Sequence, residues 1–521
     1  MDTKALRQKI LDLAIRGKLV PQDPNDEPAS VLLGRIRQQK QQMVKEGKLK
    51  PKDIKNDSVI FVGEDNLHYE KFADGSVKCI EDEIPFDLPD GWEWVRLGSV
   101  GDMTLGKMLD VTKNKGTLRP YLRNINVRWG AFELSDVLEM RFEDDELERY
   151  SIRHGDLVIC EGGEPGRCAV WQSEEVVFYQ KALHRVRAIE VLPEFLYYVI
   201  RHFIISNQYE RYYTGTTIKH LTGQSLRIIP IPLPPLNEQK LIVEHLQRII
   251  EEIDKIETEK TEALSLVSFA KSKILDLAIR GQLVPQDPDD EPASVLLERI
   301  RAEKEELIKQ GKIKRNKKES IIFRGEDNSY YEKMGDKVEN ISDEIPFELP
   351  DGWMWCRGRS CFSGMESTKP QGEFFDYIDI DAIDNRLHRI KTAKHLPASE
   401  APSRASRAVK TGSVLFSLVR PYLENIALVE KTHSHCIAST GFYVCNSNGI
   451  LLPKFMFLLM ISSYVVSGLN QYMKGDNSPS ISKDNIESWL YPVPPMAEQK
   501  AICAKLKKVF NLIAKVENSL S

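Results

Sequence analysis

The sequence predicts a mixed α+β chain built twice over. Two α/β-mixed globular inserts are joined by two long antiparallel coiled-coil helical regions, giving an internal pseudo-two-fold repeat. Two observations carry this reading. The stretch ILDLAIRGKLVPQDPNDEPASVLL at 10–33 returns as ILDLAIRGQLVPQDPDDEPASVLL at 274–297, and only Lys18/Gln282 and Asn25/Asp289 differ over 24 positions. Apolar residues also recur at spacings of four and three from Ile242 to Leu277, the signature of a coiled-coil seam.

Further repeats set the organisation. GEDNLHYEKFADGSVKCIEDEIPFDLPDGWEW from Gly63 is echoed by GEDNSYYEKMGDKVENISDEIPFELPDGWMW from Gly325, and PLPPLNEQK from Pro232 by PVPPMAEQK from Pro492. Between them lie residues 95–231 and 356–491, which share only a skeleton. A Gly-Asp or Gly-Ser strand start (155–166, 412–423) leads to an apolar helical segment, then to a polar loop, TGTTIKHLT or KGDNSPSIS. The chain therefore divides into an N-terminal conserved region at 1–91, a first insert domain at 92–235, a central conserved region at 236–352, a second insert domain at 353–495 and a C-terminal conserved helix at 496–521. A 521-residue chain is too long for one core, which agrees with several domains.

The conserved segments read as helix. After Pro-Pro, Asn237 is the expected N-cap, and the seam runs Ile242, Leu246, Ile249, Ile253, Ile256, Lys260, Ala263, Val267, Ala270, Ile274, Leu277, with Gly281 as the C-terminal stop. Residues 236–281 would extend about 69 Å at ~1.5 Å per residue. The same seam appears as Ile502, Leu506, Val509, Ile513 and Val516 near one end of the chain, and as Leu6, Ile10 and Leu13 near the other. The two ends together tile a second copy of the central helix.

The order and double occurrence of PLPPLNEQ/PVPPMAEQ, IPFDLPDGWEW/IPFELPDGWMW and the two unlike inserts resembles the specificity subunit of type I restriction–modification enzymes over essentially the whole chain. The resemblance implies that the inserts are target recognition domains, each reading one half of a split, asymmetric double-stranded DNA target. It further implies that the helices space the domains and dock two methyltransferase subunits and, through them, restriction subunits. S-adenosylmethionine, ATP and magnesium would then belong to those partners, with no cofactor and no metal in this chain.

Given a DNA role, basic clusters are the candidate contacts, because the net charge of −5 says nothing of local patches. In KNKGTLRPYLRNINVRWG, Lys113, Lys115, Arg119, Tyr121, Arg123, Asn124, Asn126 and Arg128 fall in an acid-free gap between Asp110 and Glu133. Arg pairs with guanine and Asn with adenine, while Lys suits phosphate. The first insert has 18 basic against 19 acidic residues over 92–230, so any basic face must be local. The second insert offers Arg386, Arg389, Lys391, Lys394, Arg404 and Arg407 against the single acid Glu400, together with Ser417, Arg420 and Tyr422 in SLVRPYL. A salt bridge to Glu424 is the alternative for Arg420. The polar loops contribute Thr216, Thr217 and Lys219, and Lys474, Asn477 and Ser480; plain turns are the alternative there.

Enzymatic motifs are incomplete. GDMTLGK at 101–107 mimics a P-loop but has Met108 where Ser or Thr is required, and reads as a turn region. The triplets at 238–240 and 498–500 hint at a nuclease E-x-K, yet their place at a helix start suits Glu for dipole reasons. His388 and His395, seven apart and without further ligands, do not suggest a metal. A stand-alone nuclease or methyltransferase, or a coiled-coil scaffold binding proteins through the inserts, are the competing readings. MDTKALRQKI lacks a secretory h-region, and the apolar run at 455–466 reads as a buried helix rather than a membrane span. Eight scattered cysteines with no C-x-x-C pair argue against a zinc site and fit reduced thiols; a cytoplasmic location is expected.

Overall fold

The computed structural model describes residues 2–520 except 56, 111, 314, 316 and 317; of residues 52 and 53 it describes the backbone alone. Contacts divide the chain into two compact units, residues 1–259 and 260–521, and the division falls inside one helix, Leu236–Ile279. At ~1.5 Å per residue its 44 residues extend about 66 Å. It begins directly after Pro235, so Asn237 lies in its first turn. The Asn237 side chain bonds Asp26 Oδ1 (2.8 Å) instead of capping the helix. At the other end Gly281 takes φ +70° and stops it as expected.

Each unit pairs its part of this helix with a second one running antiparallel. In the first unit, Thr3–Ile15 places Arg7 against Asp254 and Glu257, while Leu11, Ala14 and Ile15 share a core with Ile242, Val243 and Leu246. In the second unit, Met496–Leu520 sets Glu517 2.7 Å from Lys271, and Ile502 and Leu506 pack with Leu275, Ala278 and Ile279. The seam is narrower than the spacing suggested. Ile242, Leu246, Ile253, Ile502 and Leu506 are buried, whereas Leu6, Ile10, Leu13, Ile249, Ile274, Val509 and Ile513 are half-buried. Ile256 (39%), Leu277 (40%) and Val516 (49%) are exposed and leave the seam. Where the long helix meets a globular body, that body chooses the buried face; elsewhere one thin partner helix covers only part of the apolar stripe.

The repeated 24 residues form the same corner in both units. Gly17 and Gly281 have positive φ, and a Cβ on either would come within 2.5 Å of a Pro89 or Pro350 ring atom. Beside them Trp92 Nε1 donates to Glu238 Oε2 (2.8 Å) and Gln22 Nε2 to Glu238 Oε1 (3.0 Å). Trp353 and Gln286 repeat this on Glu498 at 2.7 and 3.1 Å. Gln239 and Gln499 accept from the Leu192 and Leu452 N–H groups at the start of the insert helices. Glu238 and Glu498 are therefore buried acceptors, their carboxyls raised by burial, and the E-x-K resemblance is structural.

Entry and exit strands pair with each other, Glu93–Arg96 with Pro230–Leu233 and Met354–Arg357 with Leu490–Val493, so each insert is closed at its base. Arg96 ties this base to the three-stranded sheet 59–79 through Glu70 (2.6 Å), and to Glu83 (2.6 Å). Arg357 does the same with Glu332 and Glu344 at 2.7 and 2.8 Å.

The inserts share little sequence but one topology. The first has a sheet ordered Ser151–Ile152, Val177–Tyr179, Thr117–Leu122, Leu138–Phe142, the middle pair parallel. The second repeats it as Ala405–Ala408, Ile437–Ser439, Phe374–Ile378, Lys394–Pro397, again with a parallel middle pair. The inner antiparallel sheets also correspond. Cys168–Val170, Leu157–Cys160, Leu183–Ala188, Gly101–Leu105 match Ile426–Leu428, Val414–Ser417, Phe442–Ser447, Phe362–Ser363. Residues 101–105, read as a turn region, are thus a strand. Lys107 behind it is buried in ion pairs with Glu143 and Glu146. The apolar run at 455–466 is two helices, Pro453–Met460 and Ser463–Asn470, split where Ser462 caps the second. Among the described residues no helix is long and apolar enough to cross a membrane.

Candidate nucleic-acid interface

Three loops meet at one end of the first insert, two of them starting where a strand ends. The turn Asn124–Asn126 leads into the hairpin Val127–Arg128/Ala131–Phe132, and residues 161–167 (EGGEPGR) follow Leu157–Cys160. Residues 214–220 close on themselves through Thr214 and His220, whose backbones exchange bonds of 2.9 and 2.8 Å. Asn124 Nδ2 donates to Gly162 O (2.9 Å), Arg167 Nη2 to Asn124 O (2.9 Å), Trp129 Nε1 to Glu164 (2.7 Å), and Leu221 N–H to Glu161 O (2.7 Å).

The second insert builds the same arrangement from different residues. The turn Ile380–Ala382 and hairpin Ile383–Asp384/Arg389–Ile390 meet residues 418–425 and residues 474–480, the last closed by Lys474 and Ser480 (3.0 and 2.9 Å). Asn385 Nδ2 donates to Leu423 O (2.8 Å), Arg420 N–H to Pro479 O (2.7 Å) and Arg420 Nη2 to Asn477 O (2.9 Å).

These junctions gather many of the residues singled out from sequence. In the first insert Arg123 and Asn124 are half-buried at the junction, Arg128 stands exposed on the hairpin, and Thr216, Thr217 and Lys219 are exposed on the polar loop. In the second, Arg386 and Arg389 occupy the hairpin, Lys391 follows it, and Arg420, Tyr422, Lys474 and Asn477 are exposed on the loops, with Ser480 half-buried at a loop base. Arg404 lies alongside: its carbonyl accepts from Thr440 N–H, and the next residue, Gly441, accepts from Leu418 N–H.

Others fall elsewhere. Lys113 and Lys115 precede the strand Thr117–Leu122 whereas Arg123–Arg128 follow it, six residues or ~20 Å of strand apart. Arg119 lies mid-strand with its guanidinium 5.5 Å over Phe178, Lys394 is paired with Asp381 (2.7 Å), and Arg407 is half-buried on an outer strand. Three expectations are corrected. Tyr121 is 3% exposed, in a cluster with Met140, Phe142 and Phe178, because strand alternation turns it inward. Asn126 is wholly buried; its amide holds the turn by donating to Glu133 O and Asp136 O (2.9 and 3.0 Å). Ser417 is 1% exposed and donates to Val419 O (2.7 Å). None of these three presents a surface to a ligand.

Arg123 pairs with Asp136 (2.7 Å) and Lys219 with Glu210 (3.0 Å). Of the two, only the Lys219–Glu210 pair is exposed on both sides, and such a pair is worth about 0–1 kcal/mol. Arg420 does not pair with Glu424, which instead lies 3.8 Å from His388 Nε2. Burial lowers the His388 pKa, Glu424 opposing it. Backbone strain concentrates at this junction. His388, Arg420 and Glu424 have φ of +48°, +47° and +54°, where the first insert's hairpin and loop use Gly130, Gly163 and Gly166.

The model of the type I restriction modification DNA specificity domain matches residues 89–266 and 404–521, more than half of the chain. The chain belongs to that family. It is similar to the EcoAI and EcoEI type I restriction enzyme specificity subunits of Escherichia coli, each 26% identical over 99% of this chain and 90% of its own length. Its fold also resembles a chain in a solved structure concerned with assembly and conformational transition of the type I R-M system. That match has 19% identity over 84% of this chain and 94% of that one, with a TM-score of 0.53. As a type I specificity subunit, the protein carries DNA-recognition domains on a repeated helical frame.

Arg167 and His220, which the sequence reading did not single out, are brought to this junction by the fold. Arg167 lies outside the acid-free gap, and contact order rather than composition brings it to Asn124. The glycines of EGGEPG were the available signal. Gly162 packs so closely on His220 that a Cβ would come 2.9 Å from Nδ1.

Proposed function

We propose that each insert reads one half of a bipartite, asymmetric double-stranded DNA target through its three-loop junction, with catalysis carried out by partner subunits. The observation that carries this is one loop arrangement built twice on near-identical frames with unlike exposed residues. The frame is held constant while the recognition surface varies, which is what a two-part reader requires. On this reading residues 92–235 and 353–495 are the recognition domains and the helical regions 236–352 and 496–521, with 1–91, form the frame. The helix Leu236–Ile279 serves as spacer, and the helix pairs dock methyltransferase subunits and, through them, restriction subunits. Exposed Leu266, Phe269 and Leu512 on these helices supply apolar surface for such docking.

The test is exchange of residues 95–231 for the insert of another family member, read by motif calling on methylated DNA from cells carrying the whole system. One half of the motif should change and the other half stay. A helix insertion within 236–279 should alter the spacer instead. An exchange that rewrites both halves overturns the proposal.

A further inference from the structure

One cluster of metal-ligating side chains lies outside the loop junctions, on the outer sheet of the second insert. Asp376 and His395 face each other directly across the antiparallel strands Phe374–Ile378 and Lys394–Pro397. His435 and Cys436 enter the neighbouring strand Ile437–Ser439, which runs parallel to the first. Sheet register therefore brings four potential ligands together from three adjacent elements. His435 Nε2 is 2.7 Å from Asp376 Oδ2, His395 Nδ1 is 2.8 Å from Asp376 Oδ1, and Cys436 Sγ is 4.0 Å from His435 Nε2. The ligand atoms of Asp376, His435 and Cys436 all lie within 4.8 Å of one another, and no other such group occurs among the described residues. The His395 ring is stacked on Phe374, 5.0 Å between centroids at 10°.

The fold does not require this chemistry. The first insert builds the equivalent positions of the same sheet from Pro120, Glu139, Val176 and Val177. The sequence expectation of no metal rested on the spacing of His388 and His395 and on cysteines scattered without a C-x-x-C pair; the fold separates the two histidines, His388 facing Glu424 and His395 facing Asp376, and sets Cys436 beside His435.

We propose that Asp376, His435 and Cys436 bind a zinc-class divalent cation, with His395 holding the second carboxylate oxygen and water completing the coordination. One imidazole, one thiolate and one carboxylate are ligands that suit zinc rather than magnesium or calcium. A tetrahedral zinc site with bonds of about 2.0–2.3 Å places its nitrogen and sulfur ligands about 3.5 Å apart, so Cys436 and His435 need close by only a few tenths of an ångström. The carboxylate and His435 must part by a similar distance as the metal replaces the proton between them. His395, oriented by Phe374, is the outer partner that such ligands usually have. Burial pushes the Cys436 thiol up to about 11, Asp376 adding to the rise.

The test is titration of the chelator-treated full-length chain with Co²⁺, followed by competition with Zn²⁺. The expected result is one equivalent bound, with a thiolate-to-cobalt charge-transfer band that zinc abolishes. Cys436→Ser should remove the band, and His435→Gln, at an exposed side chain, should weaken binding at least about tenfold without changing the metal-free melting curve. Should Cys436→Ser fail to fold, His435→Gln decides by itself. Absence of stoichiometric binding, a band that survives Cys436→Ser, or unchanged affinity in His435→Gln would overturn the proposal.

Discussion

Replacing Arg420 with glycine separates what this residue does for the fold from what it does for DNA. Its backbone sits at φ +47°, ψ +56°, a left-handed conformation costing an L-residue ~1–2 kcal/mol that glycine does not incur. Glycine loses the Nη2 bond to Asn477 O (2.9 Å), an exposed contact worth ~0.5–1.5 kcal/mol, and adds chain entropy of ~0.5–1 kcal/mol to the unfolded state. These contributions oppose one another, so stability should stay within about 1 kcal/mol of the parent in urea unfolding. Recognition should change far more. If Arg420 pairs with a base, its loss costs ~1–3 kcal/mol, roughly 5- to 150-fold, and relaxes one position of the methylated motif. If it meets a phosphate instead, all sequences weaken alike and the slope of log K against log salt falls by ~0.9. Motif calling in cells with the whole system, with salt-dependent binding of the assembled complex, distinguishes these outcomes. Destabilisation beyond about 2 kcal/mol would show that the left-handed turn depends on the side chain. Unchanged motif, affinity and salt slope would remove Arg420 from the interface.

Glu238→Gln should destabilise the first unit by ~1–3 kcal/mol in urea melts, because a buried acceptor facing Trp92 or Gln22 becomes a donor; the corresponding change at Glu498 should do the same in the second unit, and silent variants at both would show that these corners are not held as described. His184 is buried, its Nε2 3.2 Å from Leu221 O, and burial lowers its pKa to about 4 from the ordinary 6.5. Between those values the unfolded chain binds more protons, so this contribution is complete above pH 6.5 and is lost as pH falls towards 4. His184→Gln should flatten the pH dependence of the melting temperature in that window, and an unaltered slope would contradict the assignment. Ile253→Asp places a charge at a buried position of the helix pair and should abolish soluble protein or partner assembly, whereas normal folding and assembly would refute the packing.

The repeats made the architecture legible before any coordinates, because identical local sequence meets identical local needs. Gly17 and Gly281 turn the same corner, and the Glu-Gln pairs at 238–239 and 498–499 meet the same indole and amide partners. Seam periodicity located the helices, since an apolar stripe is a property of one segment alone. It could not show which stripe residues are covered: Ile256 and Leu277 share the spacing of Ile253 yet are exposed, because cover depends on what stands opposite. Composition drew attention to residues 113–128 as one basic run. The strand Thr117–Leu122 then carried its halves to opposite ends, turned Tyr121 inward and committed Asn126 to a turn. Arg167 reached Asn124, and His395 and His435 reached Asp376, through pairings between distant strands that no local pattern encodes. A helix face or a glycine turn is set by forces acting over a few residues, and the sequence alone determined those. Which side chains converge on one surface depends on strand order and register between distant segments, and only the tertiary structure decided that.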